Sequence, residues 1–123
     1  MTQTILITGA NRGIGLAMTY IAANRGNRVI ACCRKKSDVD ALSVFSKQKD
    51  NVIIKSFDVT HESQIRSVSE SITGTIDTLV CNAGVNNGYG GISSKEHDAE
   101  SIERVLMTNV AGILFTARTF LDH

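Results

Sequence analysis

Short apolar runs alternate with amphipathic stretches along this chain of 123 residues. Thr4–Thr8 predicts a first strand. Residues 14–25 predict a helix closed by Gly26, which suits the left-handed position after a helix end. Arg28–Cys33 is an almost unbroken apolar run, the pattern of a strand covered on both faces. Residues 37–49 read as a second helix, with Ser37 as its cap and Val39, Leu42 and Phe45 on one face. Residues 51–57 predict a third strand. Thr60 then caps a third helix that carries Ile65, Val68 and Ile72 on one side and stops at Gly74. Residues 76–81 predict a fourth strand. Residues 82–95 form a loop rich in Gly, Asn and Ser. A long helix follows, from about Asp98 to Phe120, with Ile102, Val105, Leu106, Val110 and Ile113 as its apolar stripe.

Strand and helix in strict alternation imply an α/β fold, with a parallel sheet and right-handed crossovers. The expectation is a Rossmann-like, doubly wound sheet in the order 3-2-1-4, here in partial form, as one domain over residues 1–123. The ligand crevice of such a sheet lies where the strand order reverses, between strands 1 and 4. Thr8-Gly9-Ala10-Asn11-Arg12-Gly13-Ile14-Gly15 sits at the carboxyl end of strand 1, and Asn82-Ala83-Gly84 at that of strand 4.

The first of these stretches is a strand, a glycine-rich turn and a helix start. That arrangement holds a dinucleotide pyrophosphate on backbone N–H groups at a helix N-terminus. Gly9 permits the tight turn, Gly13 lets a phosphate approach the backbone, and Gly15 allows close helix packing. With Asn11, Arg12 and Ile14 they make the candidate cofactor turn. Strand 2 ends Cys32-Cys33-Arg34-Lys35-Lys36, where a fold selective for NAD(H) places Asp or Glu against the ribose 2′-hydroxyl. A guanidinium there attracts a 2′-phosphate, each charged hydrogen bond contributing roughly 1.5–3 kcal/mol. Arg12 can approach the same phosphate, so NADP(H) is expected over NAD(H). The alternative is a solvated basic loop. Asp58 is either an acceptor for the adenine amino group, with Val59 packed nearby, or a turn residue before Thr60. Asn109, on the stripe of the last helix, needs partners for a buried amide, and a neighbouring backbone would serve.

Composition narrows the picture further. The chain is 42% hydrophobic and 20% charged, as in ordinary globular proteins, and its formal charge of +1 offers nucleic acid or an acidic membrane nothing to bind. No apolar run is long enough for a membrane span, and the N-terminus has no basic segment before an apolar core, so a cytoplasmic protein is expected. Cys32, Cys33 and Cys81 fall in predicted strands and read as buried thiols. Neither they nor His61, His97 and His123 have metal-ligand spacing.

Taken together, Thr8-Gly9-x-x-x-Gly13-Ile14-Gly15, Asp58-Val59, Asn82-Ala83-Gly84 and Asn109 resemble the motifs of the short-chain dehydrogenase/reductase family, over essentially the whole chain. The resemblance implies an NAD(P)(H)-dependent oxidoreductase that interconverts carbonyls and alcohols. It implies that the glycine turn binds pyrophosphate, that Arg12 and Arg34 mark NADP(H), and that Asp58 and Val59 meet the adenine. Asn82, Ala83 and Gly84 would steady the sheet beside the cofactor, and Asn109 would support a proton-relay water. The stretch Ala31-Cys32-Cys33-Arg34 is faintly similar to the carbonyl reductase branch.

The family also carries a catalytic Ser on the next strand and a Tyr-x-x-x-Lys pair on the following helix. In this chain Asn24 stands four residues after Tyr20 and Ser93 four after Tyr89, and there is no proline to form the turn beside the nicotinamide. The expectation is therefore the N-terminal half of such an enzyme, inert in turnover by itself. The alternative is a non-catalytic nucleotide-binding module, or an interaction protein that pairs with a full-length relative. Thr78, Leu79, Val80 and Cys81 would leave an unblunted sheet edge and the last helix an uncovered stripe, which predicts self-association.

Overall fold

The computed structural model describes residues 1–35 and 40–123. Four parallel strands, β1 (Thr4–Thr8), β2 (Arg28–Cys33), β3 (Val52–Ser56) and β4 (Thr78–Val80), lie in the order β3-β2-β1-β4. The register aligns Leu6 with Ile30 and Leu79, and Ile30 with Ile53. The doubly wound order expected from the alternation of patterns is the one observed. β2, between two neighbours and covered on both faces, is buried from Val29 to Cys33. β4 is shorter than the sequence pattern suggests. Cys81 lies past its end and is half-buried rather than in a strand, and that burial raises its thiol pKa.

The helices divide between the two faces. On one face α1 (Gly13–Asn24) and α2 (Asp40–Lys47) cover Ile7, Val29, Ala31 and Val52. Ser37 and Val39, expected to cap and pack α2, lie outside the described residues, as does Lys36. Leu42 is fully buried. On the other face α3 (Glu62–Glu70) lies beside the last helix over Leu6, Ile30 and Phe57. Gly26 and Gly74 take φ of 85° and 87°, left-handed positions that glycine occupies without cost.

Thr60 does not cap α3. The cap position belongs to His61, which makes no side-chain cap bond. The Thr60 amide and hydroxyl instead donate to Asp58 Oδ1 at 2.9 and 2.7 Å. An aspartate two residues upstream closes this local turn before the helix can recruit the hydroxyl.

The long helix also differs from its pattern. It runs as α4 (Ala99–Leu106), a π turn at Met107–Ala111 and α5 (Gly112–Phe120), with Asp98 capping α4 through Ser101. Its buried line is Thr108, Gly112, Thr116 and Phe120, whereas Ile102, Leu106, Val110 and Ile113 are exposed. A Cβ on Gly112 would stand 2.6 Å from Val59 Cγ2, so α5 approaches that segment more closely than a larger residue allows. Thr116 donates its hydroxyl to the Gly112 carbonyl at 2.7 Å, which satisfies the hydroxyl inside the helix and leaves a methyl group for packing. No helix among the described residues is long and apolar enough to cross a membrane.

Candidate functional site

The carboxyl ends of β1 and β4 are tied together by one threonine and one asparagine. Thr8 Oγ1 accepts from the backbone N–H groups of Asn82 and Ala83, both at 3.0 Å. The Asn82 side-chain amide donates to the carbonyls of Thr8 and Gly9 at 3.1 and 3.2 Å. These bonds continue the β1–β4 pairing beyond the last ladder residues. They hold the glycine turn and the Asn82-Ala83-Gly84 segment as two sides of one opening.

The turn is shaped by its glycines. Gly9 and Gly13 take φ of 64° and 54°, a left-handed conformation that a side chain would strain. A Cβ on Gly13 would meet nothing, so that surface of the turn stays open. Gly15 has the opposite surroundings. Its Cβ would overlap the Gly9 carbonyl oxygen and lie 2.6 Å from the Asn82 amide nitrogen. The close approach at Gly15 is thus to the turn itself and to Asn82. α1 begins after Arg12 with no side-chain cap and no acidic residue in its first turn. Its first N–H groups therefore lack the usual partner, and its dipole favours an anion there.

A cleft of about 730 Å³ opens above this seam, a volume within the range of small-molecule and cofactor sites. Gly9, Asn11, Arg12, Gly13 and Ile14 line one side, Asn82, Ala83 and Gly84 the other, and Arg34 and Val59 the far end. Gly15 lies behind the lining. Thr8, Cys32, Cys33, Phe57, Val85 and Thr108 also line the cleft, and the sequence reading assigned them no role there. For Thr8, the threonine that precedes the first glycine was the available signal. Thr108 has no local signal. It reaches the cleft because the last helix turns it inward.

Asp58 is not part of the lining. Burial alone would raise its carboxyl pKa, but the amide and hydroxyl of Thr60, aided by His61 and Arg34, outweigh that and lower it. Its Oδ1 is held in the turn by Thr60, and its backbone N–H donates to Gln64 at 2.9 Å. Cys32 is buried in β2, which pushes its thiol pKa far up; the neighbouring Cys33 adds to that, and both cysteines are reduced.

Asn109 sits in the π turn and uses both ends of its amide on one residue. Its Oδ1 accepts from the Val85 N–H at 2.8 Å and its Nδ2 donates to the Val85 carbonyl at 2.7 Å. The π turn is an irregularity that recurs at functional positions in helices, and here it carries the side chain that fixes the loop after β4. A second cavity of about 590 Å³ adjoins the cleft, lined by Arg12, Arg34, Gly84, Val85, Asn86, Arg104 and Asn109. None of its three arginines forms an ion pair among the described residues.

Comparison with known proteins places this arrangement. The chain is 33% identical over 122 residues to an NADPH-dependent pterin aldehyde reductase of Arabidopsis thaliana, covering 97% of this chain and 50% of that protein. It is 32% identical over 130 residues to carbonyl reductase family member 4 of Danio rerio, covering 100% and 53%. Among solved structures, the NADPH-bound carbonyl reductase from chicken fatty liver superposes with a TM-score of 0.87 at 26% identity, covering 98% of this chain and 47% of that one. The chain thus spans about half the length of these relatives. The family model for short chain dehydrogenase matches residues 3–123, and with the parallel sheet, the glycine turn and the Asn82–Thr8 seam it shows that the chain belongs to the short-chain dehydrogenase family.

Proposed function

We propose that this chain forms the cofactor-binding half of an NADP(H)-dependent oxidoreductase that interconverts carbonyl and alcohol groups. The observation that carries the reading is the cleft, where an uncapped helix N-terminus and an open glycine turn face the Asn82-Ala83-Gly84 segment, with Arg12 and Arg34 in its lining. The backbone N–H groups around Gly13 hold the pyrophosphate. Arg12 and Arg34 hold the 2′-phosphate as a bidentate pair of forks. Val59, Ala83 and Thr108 pack about the adenosine, with Asp58 setting the turn that presents Val59. Asn109 acts through the loop it fixes, because its amide is committed to Val85. When bound, the nicotinamide supplies or accepts the hydride. A carbonyl or alcohol substrate approaches along the loop that begins at Val85.

Support for NADP(H) over NAD(H) comes from the guanidinium at the end of β2 in place of a carboxylate, and from the relatives whose names include NADPH. Side-by-side calorimetric titration with NADPH and NADH tests the reading. Tighter binding of NADPH, reversed by Arg34→Asp, is the expected result. Binding of neither dinucleotide would refute it.

The outward face of the last helix adds a second element to the proposal. Ile102, Leu106, Val110, Ile113 and Leu114 are exposed, and β4 is paired on one side only among the described residues. Self-association through these surfaces is expected. Light scattering that reports a monomer at tens of micromolar would contradict it.

A further inference from the structure

The cleft continues outward into the second cavity, and the two share Arg12, Arg34, Gly84 and Val85. What the outer cavity adds on its far wall is a third guanidinium, Arg104, beside Asn86 and Asn109. Arg104 stands on α4 one turn before Thr108, at the head of the line formed by Thr108, Gly112, Thr116 and Phe120 that faces the sheet. The helix therefore points Arg104 toward the same opening into which Thr108 faces.

Three cations around one cavity repel each other unless an anion is there to share. Among the described residues no carboxylate lines either cavity. Glu100, one turn earlier on α4 and well placed to pair with Arg104, makes no ion pair with it. Arg34 is already partly engaged, since Asp58 lies near enough for its carboxyl to feel the Arg34 charge. A phosphate monoester carries a charge of about −1.5 to −2 near neutral pH and offers three strong acceptor oxygens. Arg12 together with a shared Arg34 leaves part of that charge unmatched.

We infer that Arg104 is a third phosphate contact, closing on the 2′-phosphate of the dinucleotide from the wall opposite Arg12 and Arg34. This rests on the reading of the cleft as an NADP(H) site and extends it to a residue on a different element, so that phosphate recognition spans both sides of the opening. The same chemistry would serve a phosphate monoester on a separate small molecule, and the probes distinguish the two.

The experiment is calorimetric titration of the chain and of its Arg104→Gln and Arg104→Lys variants with NADPH, NADH, adenosine 2′,5′-bisphosphate and inorganic phosphate. Arg104 is exposed, so unchanged thermal melting of the variants is expected and certifies their fold. Arg104→Gln is expected to weaken NADPH and the bisphosphate about tenfold and to leave NADH unchanged, while Arg104→Lys restores part of the loss. Equal weakening of NADPH and NADH would overturn the inference, because the contact would then be to a part common to both. Loss of inorganic phosphate binding with NADPH unaffected would assign Arg104 to a separate phosphate ligand and overturn it as well. Wild-type binding of NADPH that Arg104→Gln leaves unaltered sinks the role of Arg104 alone, whereas a wild-type chain that binds neither dinucleotide sinks the cofactor reading beneath it.

Discussion

The last helix has two long faces whose chemistry and burial run opposite to the usual pairing. The face against the sheet carries Thr108, Gly112, Thr116 and Phe120, while the face toward solvent carries Ile102, Leu106, Val110, Ile113 and Leu114. The inner face is small at its middle, at Gly112, because distance selects it there. Val59 stands where a side chain on Gly112 would be, and only a helix with glycine at that contact can lie that close. The outer face is apolar without a cover among the described residues. The difference teaches that an apolar stripe marks a surface that needs covering, whereas close packing marks the surface that positions the cleft through Val59 and Thr108.

The sharpest way to break this comparison is Gly112→Val. Overpacking at a contact already at 2.6 Å for a bare Cβ is expected to cost about 3 kcal/mol, seen as a lower urea midpoint. An unchanged midpoint would mean that α5 can move away freely. Next in size is Asn109→Leu, which strands the N–H and carbonyl of Val85. A loss of roughly 1–3 kcal/mol and weaker NADPH binding are expected, and an effect on neither would show that the loop after β4 is held by other contacts. On the outer face, Leu106→Glu with Val110→Glu should change the stability of the monomer by no more than about 0.5 kcal/mol yet abolish self-association in sedimentation. A large stability loss there would place this face in the folded core.

The smallest expected effect concerns the turn that presents Val59 to Gly112. The carboxyl of Asp58 has a lowered pKa in the folded chain, so its contribution is present above the unfolded carboxylate value of about 3.9 and is lost as pH falls through the lower folded value. The carboxyl is partly exposed, so solvent screening keeps the effect small. Wild type should melt slightly above Asp58→Asn at neutral pH, and the gap should close as the solution is acidified below pH ~4. A gap independent of pH would remove the charge of Asp58 from the account.

Much of the cleft was legible in the residues because it is built from backbone geometry that only certain residues allow. Gly9 and Gly13 take left-handed φ, and such positions restrict the sequence tightly enough to be recognised. The run from Val29 to Cys33 reads as a strand between neighbours and is buried as one. Asn109 announced a need for partners but not which. The Val85 backbone answers only because the π turn sets its amide beside the loop. Thr60 reads as a helix cap by local pattern, yet Asp58 two residues earlier binds its hydroxyl first. Arg104 has no local signature at all, since nothing near it in sequence marks a cavity.

The sequence by itself determined the alternation of strands and helices, the order in which they wind, the glycine turn and the guanidinium at the end of β2, because periodicity, left-handed backbone and side-chain charge are properties of single residues and their near neighbours. Which face of the last helix meets the sheet, which threonines line the cleft and where Arg104 points were decided only by tertiary structure. Those depend on how closely distant segments approach, and distance between segments is set by packing rather than by the hydropathy of either one.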